Sequence, residues 1–154
     1  MAILGNGDIA KVLKDRKDLI YFACGVSNSQ ERNEGEYWRE LRLLNNQDKT
    51  KHIVYFSTLS IYYNKNRYTQ HKINMEKWVK TFASYTIIRI GNISWGKNPH
   101  TLLNYLKANP KAKRKDVTRY IVDKKEFLHW VNKIRVGVPD IINIPGKQVN
   151  VKTL

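Results

Sequence analysis

The chain has 154 residues, of which 42% are hydrophobic, so it is long enough for one domain with its own apolar core. Its 28 Lys and Arg against 13 Asp and Glu give a formal net charge of +15, which favours acidic partners such as nucleotides, nucleic acid or anionic membranes. A single cysteine, Cys24, excludes an internal disulfide, and no apolar run approaches the roughly 18 residues of a membrane span. Because no basic and apolar leader follows Met1, we expect a soluble protein of the cytoplasm or another intracellular compartment.

Five short apolar runs, separated by stretches with helical spacing, predict strands. The runs cover residues 2–4, 19–24, 52–57, 86–90 and 141–144. They are rich in β-branched and aromatic residues and are nearly apolar throughout, which is typical of strands inside a parallel sheet. We therefore predict the α/β fold class, with a minimal Rossmann-like parallel sheet of about five strands and flanking helices. Residues 1–154 are predicted to form a single domain.

Three stretches between these runs have apolar side chains at the spacing of an amphipathic helix. Their apolar faces are Tyr37, Leu41 and Leu44, then Tyr68, Met75 and Val79, then Phe127, Trp130, Val131 and Ile134. The segment 107–115, KANPKAKRK, contains a proline and dense basic charge, and we predict a loop there. The four histidines lack the spacing of metal ligands, so no metal site is predicted.

A glycine turn, G-x-G-x-x-A, directly follows the first predicted strand and is expected to open a helix. Gly5 allows the tight turn, Gly7 lets the backbone approach a pyrophosphate, and Ala10 permits close packing of helix on strand. The free N–H groups of the helix would then bind phosphate. The pattern predicts a dinucleotide site at Gly5, Asn6, Gly7, Asp8, Ile9 and Ala10. The alternative is an ordinary turn between strand and helix, and Asp8 would repel a phosphate if its carboxylate pointed inward.

A tyrosine and a lysine four residues apart, Tyr68 and Lys72, follow a strand that ends in Ser57 and Thr58. Their spacing puts the phenol and the ammonium on one face of a helix. We expect Lys72 to lower the pKa of Tyr68, so that the phenol can exchange a proton with a carbonyl or alcohol whose oxygen Thr58 holds. The alternative is a tyrosine that packs and a lysine that is solvated.

The order of these motifs resembles the extended short-chain dehydrogenase/reductase family, which comprises nucleotide-sugar epimerases, dehydratases and reductases. Residues 19–27 resemble its fourth strand, 55–62 the strand with its catalytic hydroxyl, 87–93 the strand and loop that flank the nicotinamide, and 118–123 and 141–146 two C-terminal segments. The resemblance implies that Thr58, Tyr68 and Lys72 are catalytic, with NAD or NADP as cofactor and a nucleotide-sugar-like substrate. It adds Gly25, Ser57, Gly91, Asn92 and Ile93 to the cofactor site, and gives Lys72 a second role as a ligand of the cofactor ribose.

The sequence is shorter than the family pattern. Two strands are missing between the first and second apolar runs, as is the acidic residue that binds the adenine ribose. We expect the first strand to lie at a sheet edge that a second copy or a larger partner covers, as in a homo-oligomer or assembly. By the same resemblance, residues 1–98 form the cofactor and catalytic core and residues 99–154 a reduced substrate-side region.

A basic cluster, defined here as Lys107, Lys111, Lys113, Arg114, Lys115 and Arg119, follows the catalytic region. It is interpreted as a solvated loop, as a clamp for a substrate diphosphate, or as a nucleic-acid contact made through phosphates. For the whole chain, the leading hypothesis is an NAD(P)-dependent reductase or epimerase-like protein. The alternative is a non-catalytic Rossmann-like subunit of a larger assembly, which contacts nucleic acid through its basic surface.

Overall fold

The computed structural model describes residues 3–154, and its main feature is a five-stranded sheet in which every pairing is parallel. The strand order is β1-β2-β3-β4-β7. These strands are β1 (Ile3–Leu4), β2 (Leu19–Phe22), β3 (His52–Thr58), β4 (Ser84–Ile90) and β7 (Asp140–Ile144). The predicted α/β class and all five strand positions are confirmed, with Ala2 lying outside the described residues. The first strand is at the edge of the sheet, as expected.

Alternate residues along the strands pack into two apolar cores, one on each face of the sheet. Ile20, Ile53 and Ile87 belong to one core, which also contains helix residues Leu44 and Met75. Their neighbours Tyr21, Val54 and Ile88 belong to the other, together with Phe127 and Val131. Because both faces are covered, the central strands are apolar at nearly every position.

Four helices flank the sheet, and polar side chains cap their N-termini. They are α1 (Glu34–Asn45), α2 (Arg67–Val79), α3 (Leu102–Ala108) and α4 (Lys124–Val131). Asn66 begins α2 with a capping box closed by Thr69, and this fixes the position of Tyr68 in the first turn of the helix. Helix α4 ends before Ile134, which packs beyond the helix. Among residues 3–154, no helix is long and apolar enough to cross a membrane.

The sequence analysis missed a second, three-stranded sheet beside the carboxyl end of β4. It consists of β5 (Asn92–Ile93), β6 (Thr118–Val122) and β8 (Lys147–Asn150), with β6 antiparallel to β8. Helix α3 was also missed, and it includes Lys107 of the predicted loop 107–115. Strand β7, which comes from region 99–154, completes the main sheet beside β4. The division of the chain at residue 98 stays a prediction.

The prediction of a helix after the glycine turn is wrong. The structure has a single 3-10 turn there, Ala10–Val12, and the backbone is extended again at Leu13. Because β1 and β2 are parallel, the connection between them must run back along the length of the strands before β2 begins at Leu19. So short a segment leaves room for one turn and an extended return, but not for a helix of several turns.

Candidate functional site

Thr58, Tyr68 and Lys72 meet at the carboxyl end of β3. The Thr58 hydroxyl lies close enough to the Tyr68 phenol to lower its pKa, and the Lys72 ammonium lies 5.6 Å from the centre of the Tyr68 ring. Thr58 also begins the next turn by accepting a hydrogen bond from the backbone N–H of Ser60. The three side chains that the sequence singled out are therefore neighbours, although Tyr68 is only 8% exposed.

Glu40, which the sequence analysis missed, is the buried centre of this site. Its carboxylate lies 3.2 Å from the Lys72 ammonium and accepts hydrogen bonds from the Tyr55 hydroxyl and, at 2.8 Å, from the backbone N–H of Val26. His71 Nε2 lies 3.1 Å from the same carboxylate. Burial opposes ionisation of Glu40, but the Lys72 ammonium and these hydrogen bonds outweigh it and lower its pKa to about 2. Glu40 is therefore a buried anion with a full set of partners.

This anion changes the expected chemistry of Tyr68. Burial, and after it the charge of Glu40, raise the pKa of Tyr68 well above its usual value, and the nearby Thr58 hydroxyl lowers it by less. The expected lowering of the Tyr68 pKa is therefore wrong, because burial and the charge of Glu40 raise it. Lys72 is also only 2% exposed and its ammonium faces Glu40, and its contact with a cofactor ribose stays a prediction.

Gly25 separates the buried ion pair from a surface cavity. A Cβ atom at Gly25 would lie 2.8 Å from Glu40 Oε2 and 2.9 Å from Lys72 Nζ, so a side chain there would displace one end of the ion pair. On the outer side, Gly25 lines a cavity of about 200 Å³ together with Ser27, Arg39 and His100. The cavity is small compared with the few hundred Å³ that a bound organic ligand occupies. It can hold part of a dinucleotide but not the whole molecule.

In the glycine turn, Gly5 packs against the backbone, whereas Gly7 faces open space. Gly5 has a φ of 114°, and a Cβ there would lie 2.3 Å from the carbonyl oxygen of Ala23. At Gly7, by contrast, no described atom lies within 4 Å of a Cβ position. The Asp8 carboxylate accepts hydrogen bonds from the backbone N–H groups of Lys97, at 3.0 Å, and Asn98, at 2.9 Å. Asp8 therefore ties the turn to the loop after β5 and does not face the open side of Gly7.

Four residues of the predicted cofactor site make contacts within the protein: Ser57, Gly91, Asn92 and Ile93. The Ser57 hydroxyl donates to Glu76 at 2.6 Å, and Glu76 in turn forms an ion pair with Arg89 at 2.7 Å. The Asn92 amide donates to the carbonyl of Tyr120, Gly91 packs against two backbone carbonyls, and Ile93 joins a core. The turn residues Asn6 and Ile9 lie beside Gly5 and Gly7, and Ala10 is buried.

The basic cluster does not form one compact site. Lys111, Lys113 and Lys115 are exposed, whereas Arg114 donates to the backbone carbonyl of Leu154 at 2.8 Å. The Arg119 guanidinium lies 4.7 Å from the ring centre of Tyr63, an exposed tyrosine that follows the turn after Thr58. Through Tyr63, Arg119 lies near the end of β3 that carries Thr58. Within residues 3–154, no three His, Cys, Asp or Glu side chains form a group that could hold a metal ion.

Comparisons with known proteins bear on the fold. No protein-family model and no curated protein sequence matches this chain. Among solved structures, a UDP-galactose 4-epimerase is similar with a TM-score of 0.63 and 13% identity, over 87% of this chain and 58% of that one. The Bordetella bronchiseptica enzyme WbmG, solved with NAD and with NAD and UDP, is similar with a TM-score of 0.55 and 17–18% identity, over 66% of this chain and 40% of its own.

A third similar structure is CapF, a capsular polysaccharide assembling protein of Staphylococcus aureus, with a TM-score of 0.57 and 18% identity. The match covers 88% of this chain and 42% of CapF. The chain therefore has a Rossmann-like α/β fold with a parallel sheet, as these structures do. It spans about half the length of the structures that it resembles. It contains the region in which the sequence resemblance placed Thr58, Tyr68 and Lys72.

Proposed function

We propose that this chain is an NAD(P)-dependent reductase or epimerase-like protein that acts on the carbonyl or alcohol group of a nucleotide-sugar-like substrate. The observation that carries the proposal is the grouping of Thr58, Tyr68 and Lys72 at the carboxyl end of β3. In open α/β sheets, ligands bind at this edge. The fold shared with an NAD-bound enzyme, WbmG, adds support for a dinucleotide of this kind.

The residues at the sheet edge fit a dinucleotide in part. Neither φ nor a neighbouring described atom requires a glycine at Gly7, so the close approach of a phosphate explains it better than packing does. The turn from Gly5 to Ala10 would hold the pyrophosphate, and the cavity beside Gly25 would take the nicotinamide half. Gly91, Asn92 and Ile93 would bound the site from the β4 side. When bound, the nicotinamide supplies or accepts the hydride.

The protein's own residues then handle the proton and the substrate oxygen. Thr58 would bind the oxygen by a hydrogen bond, and the adjacent Tyr68 phenol would transfer the proton. Lys72 would act from the interior side of the site, because Gly25 lies between it and the surface cavity and its ammonium forms an ion pair with Glu40. Arg119 and three exposed lysines of the basic cluster, Lys111, Lys113 and Lys115, would bind the substrate diphosphate.

Cofactor calorimetry combined with turnover tests this proposal. NAD, NADH, NADP and NADPH are titrated into the protein at low and moderate salt, and nucleotide sugars are then screened for cofactor oxidation or reduction. We expect saturable 1:1 binding of a dinucleotide and turnover that Tyr68→Phe removes without loss of folding. Tyr105→Phe, which alters an exposed tyrosine on α3, is the control. Full turnover of Tyr68→Phe contradicts the assignment of the proton to Tyr68.

A second candidate function is a non-catalytic subunit that contacts nucleic acid through its basic surface. The enclosed Glu40–Lys72 pair and the single turn after Gly7 favour it, because both reduce the cofactor site. The net charge of +15 supplies the attraction to phosphates. Steeply salt-dependent binding to oligonucleotides, without binding of any nicotinamide dinucleotide, would favour this function over the first.

A further inference from the structure

The segment after β5 reaches across the carboxyl edge of the main sheet, and its residues 96–101 are defined as the strap. The chain leaves β4 at Ile90, forms β5, and is then hydrogen-bonded to Asp8 in the glycine turn after β1. Strands β2 and β3 lie between β1 and β4 in the sheet. Because neighbouring strands are about 4.8 Å apart, the chain between β4 and Asp8 crosses about 14 Å of this edge.

Asp8 is the attachment of the strap at the β1 end. Its two carboxylate oxygens accept hydrogen bonds from the backbone N–H groups of Lys97, at 3.0 Å, and Asn98, at 2.9 Å. Gly96 lies so close that a Cβ there would overlap the Asp8 carboxylate, and its φ of 94° also favours glycine. The strap therefore wraps around this carboxylate. Successive backbone N–H groups of this kind can bind a phosphate, but Asp8 accepts from both of them.

A second attachment lies after the end of β2. The Asn98 amide donates to the Ser27 hydroxyl at 3.2 Å, and His100 lines the cavity beside Gly25. The proposed function gives the pyrophosphate to the turn that contains Asp8 and the nicotinamide half to this cavity. Because the strap is attached at both places, a dinucleotide that runs from one to the other must displace it.

The strap can open without unfolding the core. Trp95, the residue before it, packs on Phe127 and donates to the Asp8 carbonyl at 3.1 Å, so the fixed end lies there. None of the residues of the strap is buried. The Asn104 amide in α3 donates to two of its carbonyls, at 3.1 and 2.9 Å, and holds it in one shape. Opening therefore breaks a few hydrogen bonds near the surface and exposes little apolar area, which is typical of segments that open locally.

We infer that the strap is an autoinhibitory gate: in the conformation described here it closes the path between the glycine turn and the cavity, and release of its bonds to Asp8 admits the dinucleotide. The inference rests on the proposed function, because it concerns how the cofactor of that function enters. A ligand that binds only the open form has an apparent affinity reduced by the fraction of molecules that are open. Through this fraction, Asp8 sets how tightly a dinucleotide binds.

Amide hydrogen exchange followed by NMR, and binding of NADH and NADPH, test this inference on the same proteins. In Asp8→Ala the amides of Lys97 and Asn98 should exchange about tenfold faster or more than in the wild type, because both lose their acceptor. Dinucleotide affinity should rise by about tenfold, because more molecules are open. Asp48→Ala should change neither quantity. This control aspartate also accepts from a backbone N–H, that of Thr50, but it precedes β3 at the opposite edge of the sheet.

Gly96→Ala is a second variant, which forces the strap away from Asp8 and keeps the Asp8 charge. It should speed exchange of the same two amides and tighten dinucleotide binding, and it replaces Asp8→Ala if that variant fails to fold. Unchanged exchange at Lys97 and Asn98 in a folded variant overturns the inference, as does a gain in affinity confined to Asp8→Ala, which would be a charge effect. Equal dinucleotide binding by all the proteins rejects the gate alone, whereas no binding by any of them rejects the proposed function and the gate with it.

Discussion

The ammonium of Lys72 lies 3.2 Å from the carboxylate of Glu40, and the fold encloses both side chains. Helix α1 supplies the acid and helix α2 the base, so this contact joins the two helices that cover one face of the sheet. Removal of one partner leaves an uncompensated charge in the interior, whereas removal of both leaves none.

A double-mutant cycle should therefore show strong coupling. We expect Glu40→Gln and Lys72→Met each to lower the free energy of unfolding by about 3 to 5 kcal/mol, and the double variant to lose much less than the sum. Urea denaturation at neutral pH measures all four proteins. Additive losses would mean that the pair contributes little beyond the packing of each side chain.

Stability should fall steeply in acid because of the same carboxylate. The pKa of Glu40 is about 2 in the folded protein against 4.5 for an unperturbed glutamate. A lowered pKa means that the stabilisation is present above the unfolded value and is lost as the pH falls towards the folded value. We expect a loss between about pH 5 and pH 2 that is clearly larger than in Glu40→Gln/Lys72→Met. Parallel pH profiles of the two proteins in urea denaturation would contradict this.

The two glycines of the first turn should respond differently to alanine. Gly5→Ala places a Cβ 2.3 Å from the Ala23 carbonyl at a φ of 114°, so the unfolding temperature should drop. Gly7→Ala meets open space, so stability should be kept, but dinucleotide affinity should fall by about tenfold or more because the methyl group blocks the pyrophosphate. Thermal unfolding and calorimetry together separate the effects. Normal dinucleotide binding by Gly7→Ala would remove the turn from the cofactor site.

The exposed lysines of the basic cluster should govern binding of polyanions. Replacement of Lys111, Lys113 and Lys115 by glutamine should weaken binding to a phosphate-bearing ligand and lower the salt slope by about one for each phosphate that the variant no longer neutralises. Arg114 is left intact because it binds the Leu154 carbonyl. The control is Lys51, Lys77 and Lys80 changed to glutamine, an equal decrease of charge elsewhere on the surface. Equal effects of the two triple variants would identify a general charge effect.

The edge strand β1 should bind a second copy of the chain or a larger partner. Ile3 and Leu4 pair with β2 on one side and have no described strand on the other. Sedimentation at micromolar concentration should show an oligomer that Ile3→Lys dissociates. Ile141→Lys, on the opposite edge strand β7, is the matched control. A monomeric wild type whose dinucleotide affinity is indifferent to Ile3→Lys would exclude this role for the edge.

The sequence predicts the main sheet well because its strands are buried on both faces, which leaves long apolar runs such as the one before Thr58. Strands β5 and β8 have only two and four residues with mixed polarity, so no pattern marks them. Glu40 was missed for a physical reason: a glutamate in a helix is usually solvated. Its position three residues after Tyr37, on the apolar face of α1, was the available signal.

The pairing of β4 with β7 has a consequence for the order of folding. Ile88 pairs with Ile142, so the sheet joins segments that are far apart in the chain, and such pairings form slowly. During synthesis, β4 emerges well before its neighbour and remains unpaired on one side until then. The hydrogen bond between Tyr62 and Asn143, which spans this pairing, can form only after β7 has docked. This side of the candidate site should be among the last parts to form on the ribosome, and a chaperone that shields an unpaired strand would act at this stage.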